Sequence, residues 1–268
     1  MTPASLVDGA PADTVGIDSR GLAYGDGVFR TLRLQDGGVL HADEQWRKLA
    51  ADAQRLDLEV PPLDVWLADT AMLNHGQATG VAKWLLVRRS EGRGYRPTTR
   101  AAQRIVQVSS LPPRVASAAL TIAALRLAAQ PALAGIKHLN RLEQVLAARE
   151  LRPGTDELLM CDHDGFLVGG LRSNLFWVHD GRLLTPFVDR CGIAGTMRAR
   201  VLRIAAGLGV AQAEVREGGA ALMAADEIFV TNALVGIWPA HRVETRGLQA
   251  PGPLTQRLAR ELGPPFLI

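Results

Sequence analysis

Lys137 stands between a Gly-Ile pair and an amphipathic run in the stretch AGIKHLNRLEQV (134–145). A lysine so placed is either a solvated loop residue or an inward-facing amine. Only a partly desolvated amine loses its proton readily enough to attack a carbonyl carbon. Three other stretches hold residue types able to do chemistry. LAYGDGVF (22–29) carries Gly25 and Gly27 in a turn entering a strand, which calls either for a tight turn or for close backbone approach. EGRGYRP (91–97) sets Arg93, Tyr95 and Arg96 on a glycine-hinged loop, where a guanidinium can be offered to a carboxylate. GIAGTMRARV (192–201) puts Gly195 and Thr196 at the start of a predicted helix. There Thr196 is a plain cap, or the free N–H groups receive an anion.

Other chemistries find no support. No GxGxxG or P-loop pattern is present, and Ser173 does not stand in a GxSxG elbow. The six histidines and two cysteines follow no metal-ligand spacing, so no metal site is expected. Cys161 and Cys191 are far apart and form no CxxC pair, and a disulfide is not expected. The net charge is +3, with arginines scattered rather than striped. That argues against nucleic acid and fits capture of a small anion.

The residues that must position these groups form a globular pattern. The chain has 268 residues, 47% hydrophobic and 21% charged, which suits one large or two ordinary domains. Its apolar runs are too short for a bilayer, and the first residues show no basic region followed by an apolar one. A cytoplasmic protein without a membrane partner is therefore expected. VFRTLRLQDGGVL (28–40) reads as a hairpin, and 41–56 as a helix with Asp43 as its candidate cap. A second helix follows Pro61–Pro62, then strands at 82–90 and 103–111. Residues 112–117, rich in proline, read as a linker between a smaller domain (1–111) and a larger one (118–268). The larger part opens with a strand and a helix over 140–152. Hairpins turning at Asp164-Gly165 and Asp180-Gly181 follow. Next come a helix closed by Gly207, a strand-rich segment at 227–240 and a terminal helix. Strands and helices mix without regular βαβ alternation, an α+β pattern.

In order, the motifs YGDGVF, GRGY, GIKHLNRLEQ, SNLF and TNAL resemble those of the fold-type IV family of pyridoxal-phosphate enzymes. The resemblance runs from about Val7 to Val243. The segment LAGIKHLNRLEQVL is similar to the family's lyases that act on 4-amino-4-deoxychorismate. It implies a two-domain architecture of the D-amino-acid aminotransferase type, with pyridoxal phosphate in the interdomain cleft. The implied activity yields 4-aminobenzoate and pyruvate for folate synthesis, by a homodimer. The alternative within the family is an aminotransferase acting on D-amino or branched-chain acids.

The resemblance also assigns residues. Lys137 becomes the lysine that links covalently to the cofactor, then the local acid and base. Thr196 and Met197, and Asn232 and Ala233, match the positions that bind the cofactor phosphate. The family's helix arginine falls on Lys48, with Arg47 beside it; lysine keeps the charge but loses the bidentate fork. Asn174 matches the asparagine of SNLF. Five residues before it the family carries a glutamate for the pyridine nitrogen, and this chain has Gly169. Tyr24, Arg30, Arg93, Tyr95 and Arg126 are the candidates for binding the substrate's carboxylates and lining its pocket.

Overall fold

The structure, a computed structural model, describes residues 5–90, 92–113 and 115–268. Glu91 of the EGRGYRP loop, Arg114 of the linker and the first four residues lie outside the described residues. The chain divides into two compact units, one running to Pro112 and including Lys137–Asn140, the other made of Pro113–Ile136 and Arg141–Ile268. The sequence had placed the lysine in a domain spanning 118–268. Lys137 instead packs with the first unit, because residues 137–139 pair with one of its strands.

In the first unit the order is β1 (Ser5–Val7), β2 (Ala10–Pro11), α1 (Arg20–Tyr24), β3 (Gly27–Gln35) and β4 (Gly38–Val39). Then follow α2 (Ala42–Arg55), α3 (Leu63–Asn74), β5 (Thr79–Arg88) and β6 (Ala102–Ser109). The sheet is ordered β2-β1-β6-β5-β3-β4, and its paired strands run antiparallel. β3 turns into β4 through Asp36 and Gly37, both at positive φ, as a two-residue hairpin demands. Alternation along β3 buries Val28, Leu32 and Leu34 and leaves Phe29, Thr31 and Arg33 half-buried. Trp84 of β5 lies on the buried face, its indole donating to Thr70 Oγ1 of α3 at 2.9 Å.

Helix α2 buries Gln45, Leu49, Asp52 and Ala53, the i, i+4, i+7, i+8 set of a single face. Two of the four are polar, and Arg30 of β3 is a third polar group turned inward. The cap differs from expectation. His41 occupies it in left-handed conformation without a side-chain capping bond, and Asp43 lies in the first turn. There Asp43 favours the positive end of the helix dipole.

The second unit begins with β7 (Ala118–Leu127), α4 (Leu142–Ala147) and a 3-10 turn over Ala148–Glu150. Next are β8 (Glu157–Asp162), β9 (Leu167–Gly170), β10 (Asn174–His179) and β11 (Arg182–Pro186). The unit ends with α5 (Thr196–Gly207), β12 (Gln212–Val215), α6 (Ala220–Ala224), β13 (Glu227–Asn232), β14 (Gly236–Val243), β15 (Arg246–Gly247) and α7 (Pro253–Leu262). Its main sheet is ordered β12-β11-β10-β13-β14-β7-β8-β9, with β15 added to β14. The sheet is mixed, since β7 runs parallel to both β8 and β14. Phe176 and Phe229 stack at 5.1 Å on neighbouring strands. The helix expected over 140–152 is shorter, and tightens into the 3-10 turn. Helix α5 includes Gly207, and the left-handed residue that closes it is Gly209. No helix among the described residues is long and apolar enough to cross a membrane.

Candidate active site

In the first unit, residues 137–139 lie antiparallel along the start of β3. Phe29 N donates to the Lys137 carbonyl at 2.9 Å, and Leu139 N donates to the Gly27 carbonyl at 3.0 Å. Val28 faces His138, so the register sets Lys137 opposite Phe29. The Lys137 amine lies 4.5 Å from the centroid of the Phe29 ring. That contact draws an ammonium over an apolar surface.

Both glycines of GDG now have a reason. A Cβ on Gly27 would run into the Leu86 carbonyl and come within 2.8 Å of Leu139 Cδ1. Gly25 is left-handed at φ 63°, and a Cβ there would meet Asn140 Oδ1 at 2.5 Å. Asn140 Nδ2 donates to the Gly25 carbonyl at 3.1 Å. The pair thus admits the segment carrying the lysine, which settles the open choice in favour of close approach.

Asp52 is the residue the sequence reading missed. Its Oδ2 accepts the Lys137 backbone N–H at 3.2 Å. Its Oδ1 pairs with Lys48 Nζ, four residues back on α2. Arg30 Nη1 lies 3.8 Å from Oδ2, and Arg30 Nε and Nη2 donate to Gln45 Oε1 at 3.3 and 3.0 Å. Asp52 and Arg30 are 2% and 3% exposed. Burial pushes the Arg30 guanidinium down to about 10, with Asp52 opposing. Burial also lowers Lys48 below the usual lysine range, again against the pull of Asp52. The signal was present in the helical period, which puts Asp52 on the face of Gln45 and Leu49.

Arg30, a candidate for binding substrate, is turned into this buried cluster with Gln45 and Asp52. Arg47 is exposed, whereas Lys48 lies in the cluster. Arg93 and Tyr95 are also exposed. Their loop is held by a residue not foreseen: Arg20 donates to the carbonyls of Gly94 and Tyr95 at 2.8 and 3.0 Å. Arg20 and Arg88 both reach Asp26 Oδ2 at 2.9 Å, so the aspartate of GDG neutralises two buried arginines. Tyr24 packs on Tyr95 with ring centroids 5.3 Å apart.

In the second unit, Asn174 clamps the approach to α5. Its Nδ2 donates to the Ile193 carbonyl at 2.7 Å, and its Oδ1 accepts from Gly195 N at 3.2 Å. A Cβ on Gly195 would collide with that same Oδ1. Gly135 N donates to the Gly192 carbonyl at 3.0 Å, and Ala194 N to the Gly135 carbonyl at 3.2 Å. Gly135, two residues before Lys137, and the lead into α5 are thus tied by main-chain bonds. α5 starts at Thr196 with Gly195 as its cap, no side-chain cap and no acid in its first turn. Such a terminus carries partial positive charge. Met197 is buried in the core, so only its backbone can serve a ligand. Asn232 Oδ1 accepts from Leu234 N and Val235 N at 2.9 and 3.0 Å, shaping the turn that holds Ala233.

Gly169 leaves little space. A Cβ there would lie 3.0 Å from the Ser173 carbonyl and 3.8 Å from Asn174 Cα. A buried carboxylate stands close by in Glu157, but it serves the other face of β9, since a Cβ on Gly170 would meet Glu157 Cδ at 3.2 Å. The Glu157 oxygens accept from Leu158 N, Leu171 N and Ser173 Oγ, each at 3.1 Å. Burial raises its carboxyl above the usual range, partly offset by Arg172. Glu157 is a structural acceptor on the Gly170 side of β9. Arg126 of β7 is exposed and donates to the Ala123 carbonyl of its own strand at 3.1 Å.

Strands and helices make up both units; the first presents Lys137 beside the buried Asp52 and Arg30, and the second presents a helix start free of acids. Residues 27–243 match the model of the aminotransferase class IV family, and the chain belongs to that family. The aminodeoxychorismate lyase of Vibrio harveyi is 31% identical, with 96% of this chain and 98% of that protein covered. The crystal structure of 4-amino-4-deoxychorismate lyase from Pseudomonas aeruginosa matches with a TM-score of 0.90 at 37% identity. That match covers 96% of this chain and 97% of the other. A branched-chain aminotransferase from Thermoproteus uzoniensis matches with a TM-score of 0.85 at 24% identity, over 96% and 92% of the two chains. At that identity it speaks for the fold alone.

Proposed function

We propose that this protein is a pyridoxal-phosphate-dependent lyase that converts 4-amino-4-deoxychorismate to 4-aminobenzoate and pyruvate. Lys137 carries the reading: its backbone is fixed by Asp52 and Phe29 while its amine lies on an aromatic face. The near full-length likeness to the two lyases supports this reaction over others of the family.

The donor set fits the cofactor. Lys137 supplies an amine for its aldehyde carbon. Lys48 supports the phosphate charge, and its place beside Asp52 favours it over the exposed Arg47. The backbone N–H groups at Thr196–Met197 and Asn232–Ala233 suit phosphate oxygens, with no acid in the first turn of α5 to oppose them. When bound, pyridoxal phosphate supplies an aldehyde that captures the substrate amine and a conjugated ring that accepts electron density. Lys137 Nζ would take the proton from the substrate ring carbon that bears the nitrogen. Asp52 keeps the lysine backbone still during that transfer. Gly169 offers no carboxylate to the cofactor ring. Aromatisation of the product supplies a driving force that transamination lacks, which favours the lyase over the aminotransferase. Gly169 and Asn174 shape the strand and the clamp that lead into α5.

The direct test incubates holoprotein with 4-amino-4-deoxychorismate and follows 4-aminobenzoate fluorescence and pyruvate. Both products are expected without any keto-acid acceptor. A requirement for an acceptor would turn the reading to an aminotransferase, and the absence of products would end it. The reading carries with it a cytoplasmic role in folate synthesis. It also carries a homodimer, supported by the exposed apolar stripe Leu142, Val145 and Leu146 on α4. Light scattering should then give twice the 28.8 kDa chain mass. A mass of one chain at micromolar protein would remove the dimer from the proposal.

A further inference from the structure

The segment that follows α7 sets an aromatic ring against the turn that holds Ala233. β13 ends at Asn232 and β14 begins at Gly236, and these two residues pair across the hairpin. Residues 233–235 form the loop between them. Asn232 Oδ1 shapes it from one side, accepting from Leu234 N and Val235 N. On the other side stands Gly236, left-handed at φ 71°, the conformation that closes a three-residue hairpin loop. A Cβ on Gly236 would lie 2.6 Å from Phe266 Cγ and Cδ1 and 2.7 Å from Phe266 Cβ. Glycine there serves both the turn and the close approach of the ring.

Phe266 is 1% exposed, while Leu267 and Ile268 beside it are exposed. Helix α7 fixes its place. At the helix start, Leu254 N and Thr255 N donate to the buried Glu227 of β13 at 2.8 and 2.7 Å. Thr255, Leu258, Ala259 and Leu262 form the buried face. At the helix end, Gly263 takes positive φ, and its carbonyl accepts from Phe266 N at 2.9 Å. The helix is thus tied to the first residue of β13 and delivers the ring to the first residue of β14. We infer that Phe266 is a positioning residue for the cofactor phosphate: by bracing Gly236 it holds the Ala233 amide where a phosphate oxygen binds. The inference rests on the part that the proposed lyase reading gives to Asn232 and Ala233. The Asn232 bonds shape the loop within itself, and Phe266 ties it to a separate element. An amide bond to a charged oxygen weakens steeply with distance and angle. A loop released at Gly236 therefore loses that bond while the hairpin behind it stays paired.

The test loads the full chain with pyridoxal phosphate or with pyridoxal, which lacks the phosphate, in wild type, Phe266→Ala and Phe266→Leu. Dilution of each loaded form, followed by the visible absorbance of bound cofactor, gives a dissociation constant. Phe266→Ala should weaken pyridoxal phosphate by about tenfold and pyridoxal by less than about twofold. Phe266→Leu keeps an apolar side chain against Gly236 and should lose about threefold, again for the phosphate form alone. Should the alanine variant not fold, the leucine variant decides on the same comparison. A ring with a structural role alone would weaken both cofactors equally, and that result would overturn the inference. Unchanged affinity for pyridoxal phosphate in the variants would also overturn it, as would a wild type that binds the two cofactors equally. If wild type holds pyridoxal phosphate but makes no product from 4-amino-4-deoxychorismate, the lyase reading falls while the dissociation constants still decide the role of Phe266.

Discussion

Lys137→Ala should lower turnover of 4-amino-4-deoxychorismate on the order of 1,000-fold, since one side chain serves as both amine and proton carrier. The fold should survive. What fixes this segment is main chain: Lys137 N to Asp52, Phe29 N to the Lys137 carbonyl, and Leu139 N to the Gly27 carbonyl. Alanine keeps all three. The side chain gives up its contact with the Phe29 ring, which contributes about 0.5–1 kcal/mol at a partly open site. Chemical unfolding of the variant should therefore stay within about 1 kcal/mol of wild type. The visible absorbance of the bound cofactor should be lost. Retention of a tenth of the wild-type rate would show that another amine carries the chemistry.

Asp52→Ala should be the most damaging change outside the lysine itself. It removes the counterion of Lys48 and Arg30 and the acceptor of the Lys137 N–H at one stroke. Breaking a buried pair from one side costs about 3–5 kcal/mol, because the remaining charge stays desolvated. Asp52→Asn should fall between, as its side-chain oxygen can still accept from Lys137 but no longer neutralises the cations. Urea unfolding measures the order wild type, Asn, Ala; an alanine variant as stable as wild type would contradict it. The pH profile gives a second check. Burial holds the folded Lys48 pKa below the ordinary lysine value of 10.5, so between the two values the unfolded chain binds more protons. Stability therefore rises with pH through that window. Asp52 pulls the folded pKa upward, so in Asp52→Asn the rise should begin at lower pH. A rise that begins no lower in the variant would separate Asp52 from Lys48.

Much of the architecture could be read locally. Asp36-Gly37 and Asp180-Gly181 adopt the positive φ values that two-residue hairpins need. Strand alternation in VFRTLRL and the helical period after His41 fall where they were expected. α5 ends at Gly207, but the left-handed residue that closes it was misread by two positions, since Gly209 supplies that turn. The helix after Asn140 was overestimated because its tail tightens into a 3-10 turn. Both errors lie at element ends, where helix geometry frays and small residues suit either state.

By itself the sequence determined the elements, the family and the lysine on which the proposed chemistry rests. These follow from turn residues, hydrophobic period and a motif contained in a dozen consecutive residues. The tertiary structure decided the setting of that lysine. It brought Asp52 to Lys137 across 85 positions and turned Arg30 inward to Gln45. It put Glu157 behind Gly170 rather than Gly169, and set the Phe266 ring against Gly236. The physical reason is that local rules fix the direction of each side chain relative to its own strand or helix. Whether a charge then meets a partner, a ring or solvent depends on which distant element packs there.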